Sequence, residues 1–242
     1  MSKYYNLIIE KTELNRRSGA DSVVPFGFHE LSVSVISQCS FLQSLMQQVI
    51  YITHGAEISA AKKALREFPS PKARMEFLCS FPYSEEDLVV SKVFEYARNL
   101  FHDLYELRNT LSHEVWSSSD DYDGCVLFSS LDEDARLLLV SGRIWHKEDA
   151  TPLEVYNATI RYIRSVKIVS CVDLHLAMKD ANLCAWILMN ICNVLNEKDF
   201  EQKEKARRAF LVFQGTAHLF GDVVTTPETI TFQSSRKKTI RG

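Results

Sequence analysis

Glycine and proline are both scarce in this chain, at 8 and 6 among 242 residues. A turn-rich β sandwich uses more of each, so the shortage favours helices. Neither sign of charge dominates; the formal net charge is −3. The chain as a whole therefore announces no nucleic-acid partner, and any such contact must use a local basic patch. No hydrophobic run reaches the length of a membrane span, and the apolar stretch from Ala185 to Leu195 is broken by Asn190 and Asn193. The first residues, Met1-Ser2-Lys3-Tyr4-Tyr5-Asn6, are polar, and Leu7-Ile8-Ile9 is too short for the core of a signal peptide. The expected location is cytoplasmic, with no membrane partner. Glycine patterns for phosphate or dinucleotide binding are missing, as is G-x-S-x-G. Six cysteines (Cys39, Cys79, Cys125, Cys171, Cys184 and Cys192) are scattered without a C-x-x-C. They read as reduced, small apolar core residues.

What the chain does have is apolar periodicity at helical spacing. Residues 1–30 read as a non-helical lead, with a short strand in Tyr4–Glu10 and a polar loop in Asn15–Asp21. Leu31–Ile52 follows as a long helix with Leu31, Val35, Cys39, Leu42, Leu45, Met46, Val49 and Ile52 on one stripe. Its first turns, Val33–Ser37, fit strand alternation equally well. Gly55 is placed to stop it. Two short helices, Glu57–Phe68 and Pro71–Phe81, come next. Ser84 with Glu85, Glu86 and Asp87 has the form of an N-cap and acidic first turn, opening a second long helix from Glu85 to about His113.

Beyond Trp116, Ser117–Asp121 reads as a loop. Gly124–Ser129 and Arg136–Trp145, separated by Asp132-Glu133-Asp134, are expected to form an antiparallel hairpin. Thr151-Pro152-Leu153-Glu154 is a capping box with proline at the first helical position, and its helix is expected to run on to Leu176. An apolar helix over Ala181–Leu195 and a charged one over Asp199–Phe213 complete the pattern, with Gly215 behind. A short strand at Thr229–Gln233 and a basic tail, Arg236–Arg241, close the chain. The expected fold class is mainly α: a helical domain over 31–215 with a small hairpin at about 124–145, a lead over 1–30 and a tail over 216–242.

Chemistry concentrates at the end of the second long helix. Phe94, Ala97, Phe101, Leu104, Leu107 and Leu111 form its apolar stripe, and Arg108, Asn109 and His113 follow, then Trp116. Asn109 and His113 are four apart and neighbours on the helix surface. Arg108 and His113 are five apart and converge only if the helix ends near His113 and the long arginine reaches across. Imidazole exchanges protons near neutrality, guanidinium grips a phosphate through two parallel hydrogen bonds, and an amide orients either. Taken singly, each has a plainer role. Arg108 has Glu106 and Asp103 nearby for a salt bridge, His113 suits a helix C-terminus, and Asn109 and Glu114 suit a solvated surface. Trp116 suits the core. Cys171-x3-His175, with Asp173 between, provides two potential metal ligands and no completing pair. The Arg236–Arg241 cluster fits a solvated tail or a contact with RNA phosphates.

The run Arg108-Asn109-Thr110-Leu111-Ser112-His113 resembles the Arg-polar-x3-His signature of the HEPN superfamily. The resemblance covers about residues 30–180. It implies an α-helical bundle, sometimes with a small β insertion, that pairs two motif helices in a homodimer. It also implies a metal-independent endoribonuclease without cofactor, in which Arg108, Asn109 and His113 act on RNA to leave a 2′,3′-cyclic phosphate, in a toxin or phage-defence setting with an antitoxin or regulatory partner. Val115 stands where some family toxins carry a tyrosine that receives a nucleotide, so that mode of neutralisation is not implied. The alternative is a non-catalytic HEPN-like dimer that binds RNA or protein, and a third reading is an unrelated helical domain.

Overall fold

A computed structural model describes residues 2–9, 11, 13–18, 22–55, 57–81, 88–145, 151–196 and 200–220. The fold is mainly α with a small antiparallel sheet. Three helices of 26 residues form its centre: α1 (Phe28–Thr53), α4 (Leu88–His113) and α7 (Cys171–Asn196). Between α1 and α4 lie α2 (Ile58–Glu67) and α3 (Pro71–Ser80). Gly55 follows α1 with φ +61°, a left-handed conformation that favours glycine, and its N–H donates to the Ile52 carbonyl. The expected stop is therefore where the backbone turns.

The central helices are locked by their small buried residues. The Cys39 thiol of α1 meets the Leu104 carbonyl of α4, and the Cys184 thiol of α7 meets the Ala97 carbonyl of α4. Cys171 meets the Phe26 carbonyl and, further along, Gln38 donates to Asn182 (2.7 Å), so α1 and α7 run in the same direction; Phe28 meets Trp116 just past α4 while Cys39 meets Leu104, so α4 runs antiparallel to them. The expected stripe on α4 is real: Phe94, Ala97, Phe101, Leu104, Leu107 and Leu111 are all buried. The six cysteines are free thiols; Cys39 and Cys184 are buried and the other four are partly so.

Five short strands form one antiparallel sheet in the order β1-β5-β4-β3-β2. They are β1 (Asn6–Leu7), β2 (Arg17–Ser18), β3 (Val115–Ser118), β4 (Cys125–Ser129) and β5 (Lys167–Ser170). β3 begins one residue after α4 and β5 runs straight into α7, so the sheet sits against the motif end of the bundle. Alternation along β4 sends Val126 and Phe128 into the helical core and Leu127 into a second cluster with Ile8, Tyr162, Ile163 and Val166. The sheet is thus a middle layer between the bundle and a pair of helices, α5 (Leu131–Trp145) and α6 (Pro152–Ser165).

Three expectations need correction. Arg136–Trp145 is not the second arm of a hairpin but part of α5. Ser130 caps that helix, its Oγ accepting from the Glu133 N–H (3.2 Å), and Asp132, Glu133 and Asp134 form its acidic first turn. The hairpin partner of β4 is instead β3, where the sequence suggests a loop, and β5 pairs with its other edge. Its serines are buried with their hydroxyls satisfied: Ser117 donates to the Leu127 carbonyl, and Ser118 Oγ accepts from the Val23 N–H. The helix expected to run from Thr151 to Leu176 is interrupted by β5, whose β-branched Ile168 and Val169 follow Val166. Helix α7 restarts at Cys171 behind a reciprocal cap between Ser170 and Asp173. The Thr151–Glu154 capping box is present in full.

The N-terminal segment is anchored to the bundle. Tyr4 is buried and its hydroxyl donates to Asp180 on α7 (2.8 Å), while Ser2 donates to the Asp103 carbonyl on α4 (3.1 Å). Burial, with Asp180 alongside, pushes the Tyr4 hydroxyl well above the usual tyrosine range. The charged helix α8 (Phe200–Val212) packs on α7 through Phe210, which meets Trp186 edge-on. The N-cap expected at Ser84, the Thr229–Gln233 strand and the Arg236–Arg241 cluster lie outside the described residues. Among the described residues no helix is long and apolar enough to cross a membrane.

Candidate active site

The last two turns of α4 carry the motif. Leu107 and Leu111 bury one side of the helix and so fix its rotation. Successive residues advance by about 100°. Arg108 therefore lies on the flank toward α1, Thr110 and Glu114 lie on the flank toward the sheet, and Asn109 and His113 point outward. Arg108 and Asn109 are half-buried and His113 is exposed.

The three side chains meet. Arg108 Nη1 donates to Asn109 Oδ1 at 3.1 Å and lies 3.2 Å from His113 Nε2. A guanidinium only donates, so in a hydrogen bond between the two Nε2 is the acceptor. The five-residue gap is bridged as anticipated, by a helix ending at His113 and by the reach of the arginine.

The plain salt-bridge role for Arg108 fails. Glu106 instead receives the Tyr5 hydroxyl (3.5 Å). Among the described residues no carboxylate lies within ion-pair distance of the Arg108 guanidinium, and its Nε is buried without a partner. The charge is close to Cys39: burial pushes that thiol up to about 12, and Arg108 works against the rise. An arginine whose Nε is buried without a partner and whose head, among the described residues, meets no carboxylate is suited to an external anion.

Glu114 is not the solvated charge expected of it. Its carboxylate pairs with Lys167 of β5, and the two side chains are only 15 % and 22 % exposed. Lys167 also donates to Thr110 Oγ1 (2.8 Å) and lies over the Tyr5 ring. Glu114 Oε2 is buried without a partner. This pair ties the last turn of α4 to the sheet immediately after His113. Sequence reasoning missed Lys167 because no local pattern links residues 53 positions apart.

Trp116 packs as expected. Its Nε1–H donates to the Leu111 carbonyl (3.3 Å), and its ring meets Phe28 and Phe128 edge-on. His29, at the start of α1, stacks flat on it at 5.2 Å between ring centroids and 9° between planes. No sequence signal singled out His29.

The Cys171/His175 pair has structural employment. His175 Nδ1 contacts the Cys171 carbonyl (2.9 Å), and Asp173 caps α7 through Ser170. Among the described residues no group of three or more histidine, cysteine, aspartate or glutamate side chains is placed to hold a metal ion. A cavity of about 400 Å³ lined by Cys79, Val89, Lys92, Arg98 and Phe220 lies toward the other end of α4 and shares nothing with the motif.

Comparison with known proteins finds no matching family model, no similar curated protein and no similar solved structure.

Proposed function

We propose that the chain is a metal-independent RNA endonuclease of HEPN type, acting as a homodimer, with Arg108, Asn109 and His113 as its catalytic set. The observation that carries this reading is the contact of Arg108 with His113 at an exposed helix end, in the absence of a neutralising carboxylate among the described residues. A phosphate entering here offers the guanidinium a stronger acceptor than the imidazole does. Nε2 is then released to take the proton of a ribose 2′-OH. The 2′ oxygen attacks the adjacent phosphorus, the bond from phosphorus to the 5′ oxygen breaks, and that oxygen must gain a proton. The products are a 2′,3′-cyclic phosphate and a 5′-OH. Arg108 opposes the negative charge that builds on the phosphate oxygens.

His113 is one proton carrier, and the reaction needs a base and an acid. His113 of the partner subunit fills the second role if two motif helices pair about a two-fold axis, since an isologous contact repeats the same patch. Sedimentation velocity is expected to show a dimer at micromolar concentration, and a monomer with and without RNA would count against the paired site. A cytoplasmic toxin or phage-defence setting, with an antitoxin or regulatory partner, belongs to the same proposal and rests on family analogy.

A further inference from the structure

Beside the motif lies an aromatic surface that the proton-transfer scheme does not use. The Trp116 indole is fixed from three sides, by its hydrogen bond to Leu111 and by the edges of Phe28 and Phe128. Leu111 lies in the last turn of α4, two residues before His113. His29 lies against this half-buried indole in a nearly parallel stack. His29 is itself exposed. The Cys39–Leu104 contact holds α1 along the same flank of α4 that carries Arg108.

A flat, exposed ring backed by a fixed indole is the kind of receptor that an unpaired nucleobase fits. Little ordering remains to be done on binding, because Trp116 is already immobilised. The Arg108 guanidinium, which meets no carboxylate among the described residues, lies at the same end of the bundle and can take the matching phosphate. We infer that His29, backed by Trp116, is a stacking platform for an unpaired base of single-stranded RNA whose neighbouring phosphate reaches Arg108 and His113. This rests on the proposed function and adds that the substrate is single-stranded at the cut: a base inside a duplex has both faces covered.

The test is binding without chemistry. A short fluorescent 2′-O-methyl oligoadenylate lacks the nucleophile, so its affinity reads the platform alone, at one fixed salt concentration. His29→Ala is expected to weaken binding about 5- to 150-fold, the range spanned by one base–aromatic stack. His29→Phe keeps a flat ring and is expected to bind within about threefold of wild type. Abasic sites should weaken wild type and leave His29→Ala nearly unchanged. Melting temperature is followed for each variant, and His29→Phe serves as the folded reference. Wild-type affinity in His29→Ala overturns the inference. So does equal loss in both variants, which would point to hydrogen bonding or proton transfer by the imidazole. If wild type does not bind the oligonucleotide, the platform falls, and cleavage of unmodified RNA decides the endonuclease reading separately. If it binds through His29 but never cuts unmodified RNA, the platform stands and the endonuclease reading falls alone.

Discussion

His113→Ala is expected to abolish RNA cleavage while leaving RNA binding nearly intact. The side chain is exposed and its recorded polar contact is with Arg108, so its removal should not disturb packing. Loss of general acid–base help lowers turnover by about 10²–10⁴-fold. Arg108→Ala should differ in kind, lowering turnover and affinity together, because the phosphate contact exists before and during the reaction. Arg108→Lys should recover affinity better than rate, since an ammonium keeps the charge and loses the planar fork. Single-turnover rates, affinity for a 2′-deoxy analogue and melting temperature separate these outcomes. If His113→Ala cuts at the wild-type rate, the catalytic assignment is wrong. If it mainly unfolds the protein, His113 is structural and the reading of the chain as a non-catalytic interaction module takes over.

Lys167→Met should be among the most damaging changes to stability outside the apolar core. It leaves the Glu114 carboxylate half-buried without its cation, beside an oxygen that already lacks a partner. Removing one member of such a pair costs on the order of 3 kcal/mol. For a domain of this size that corresponds to a melting temperature lower by roughly 6–12 °C. The double variant Glu114→Gln with Lys167→Met should recover much of the loss, because no unpaired charge remains. Glu114 is the residue after His113, so the single variant should also loosen the imidazole and slow cleavage where the protein is still folded. Thermal unfolding that leaves Lys167→Met within about a degree of wild type would show that the pair contributes little, as exposed pairs do.

The motif helix was legible in the sequence because its signals are local. The stripe from Phe94 to Leu111 repeats every three or four residues, and the convergence of Arg108 with His113 needs only helix geometry. The Thr151–Glu154 cap is local in the same sense. The sheet was not legible. Ser117 and Ser118 look like a loop because their burial depends on the Leu127 carbonyl and the Val23 N–H, neither of which the local pattern reveals. Arg136–Trp145 contains an apolar run that suits strand or helix, and the deciding signal, Ser130 before three acids, has the composition of a turn as well as of a helix start. β5 was absorbed into a helix because Val166 and Val169 also fit helical spacing. The two residues that now frame the motif, His29 and Lys167, reach it across tertiary contacts from distant parts of the chain. Nothing in their immediate surroundings marks them.

The central claim is that Arg108 and His113 drive attack by the ribose 2′-OH. The most direct measurement is end-group analysis of RNA incubated with the wild-type protein in excess EDTA, beside the same sequence with 2′-deoxyribose throughout. The account predicts fragments ending in 2′,3′-cyclic phosphate and 5′-OH from the RNA, and an intact deoxy strand. Cutting of the deoxy strand, or cleavage that stops in EDTA and returns with a divalent cation, would contradict it.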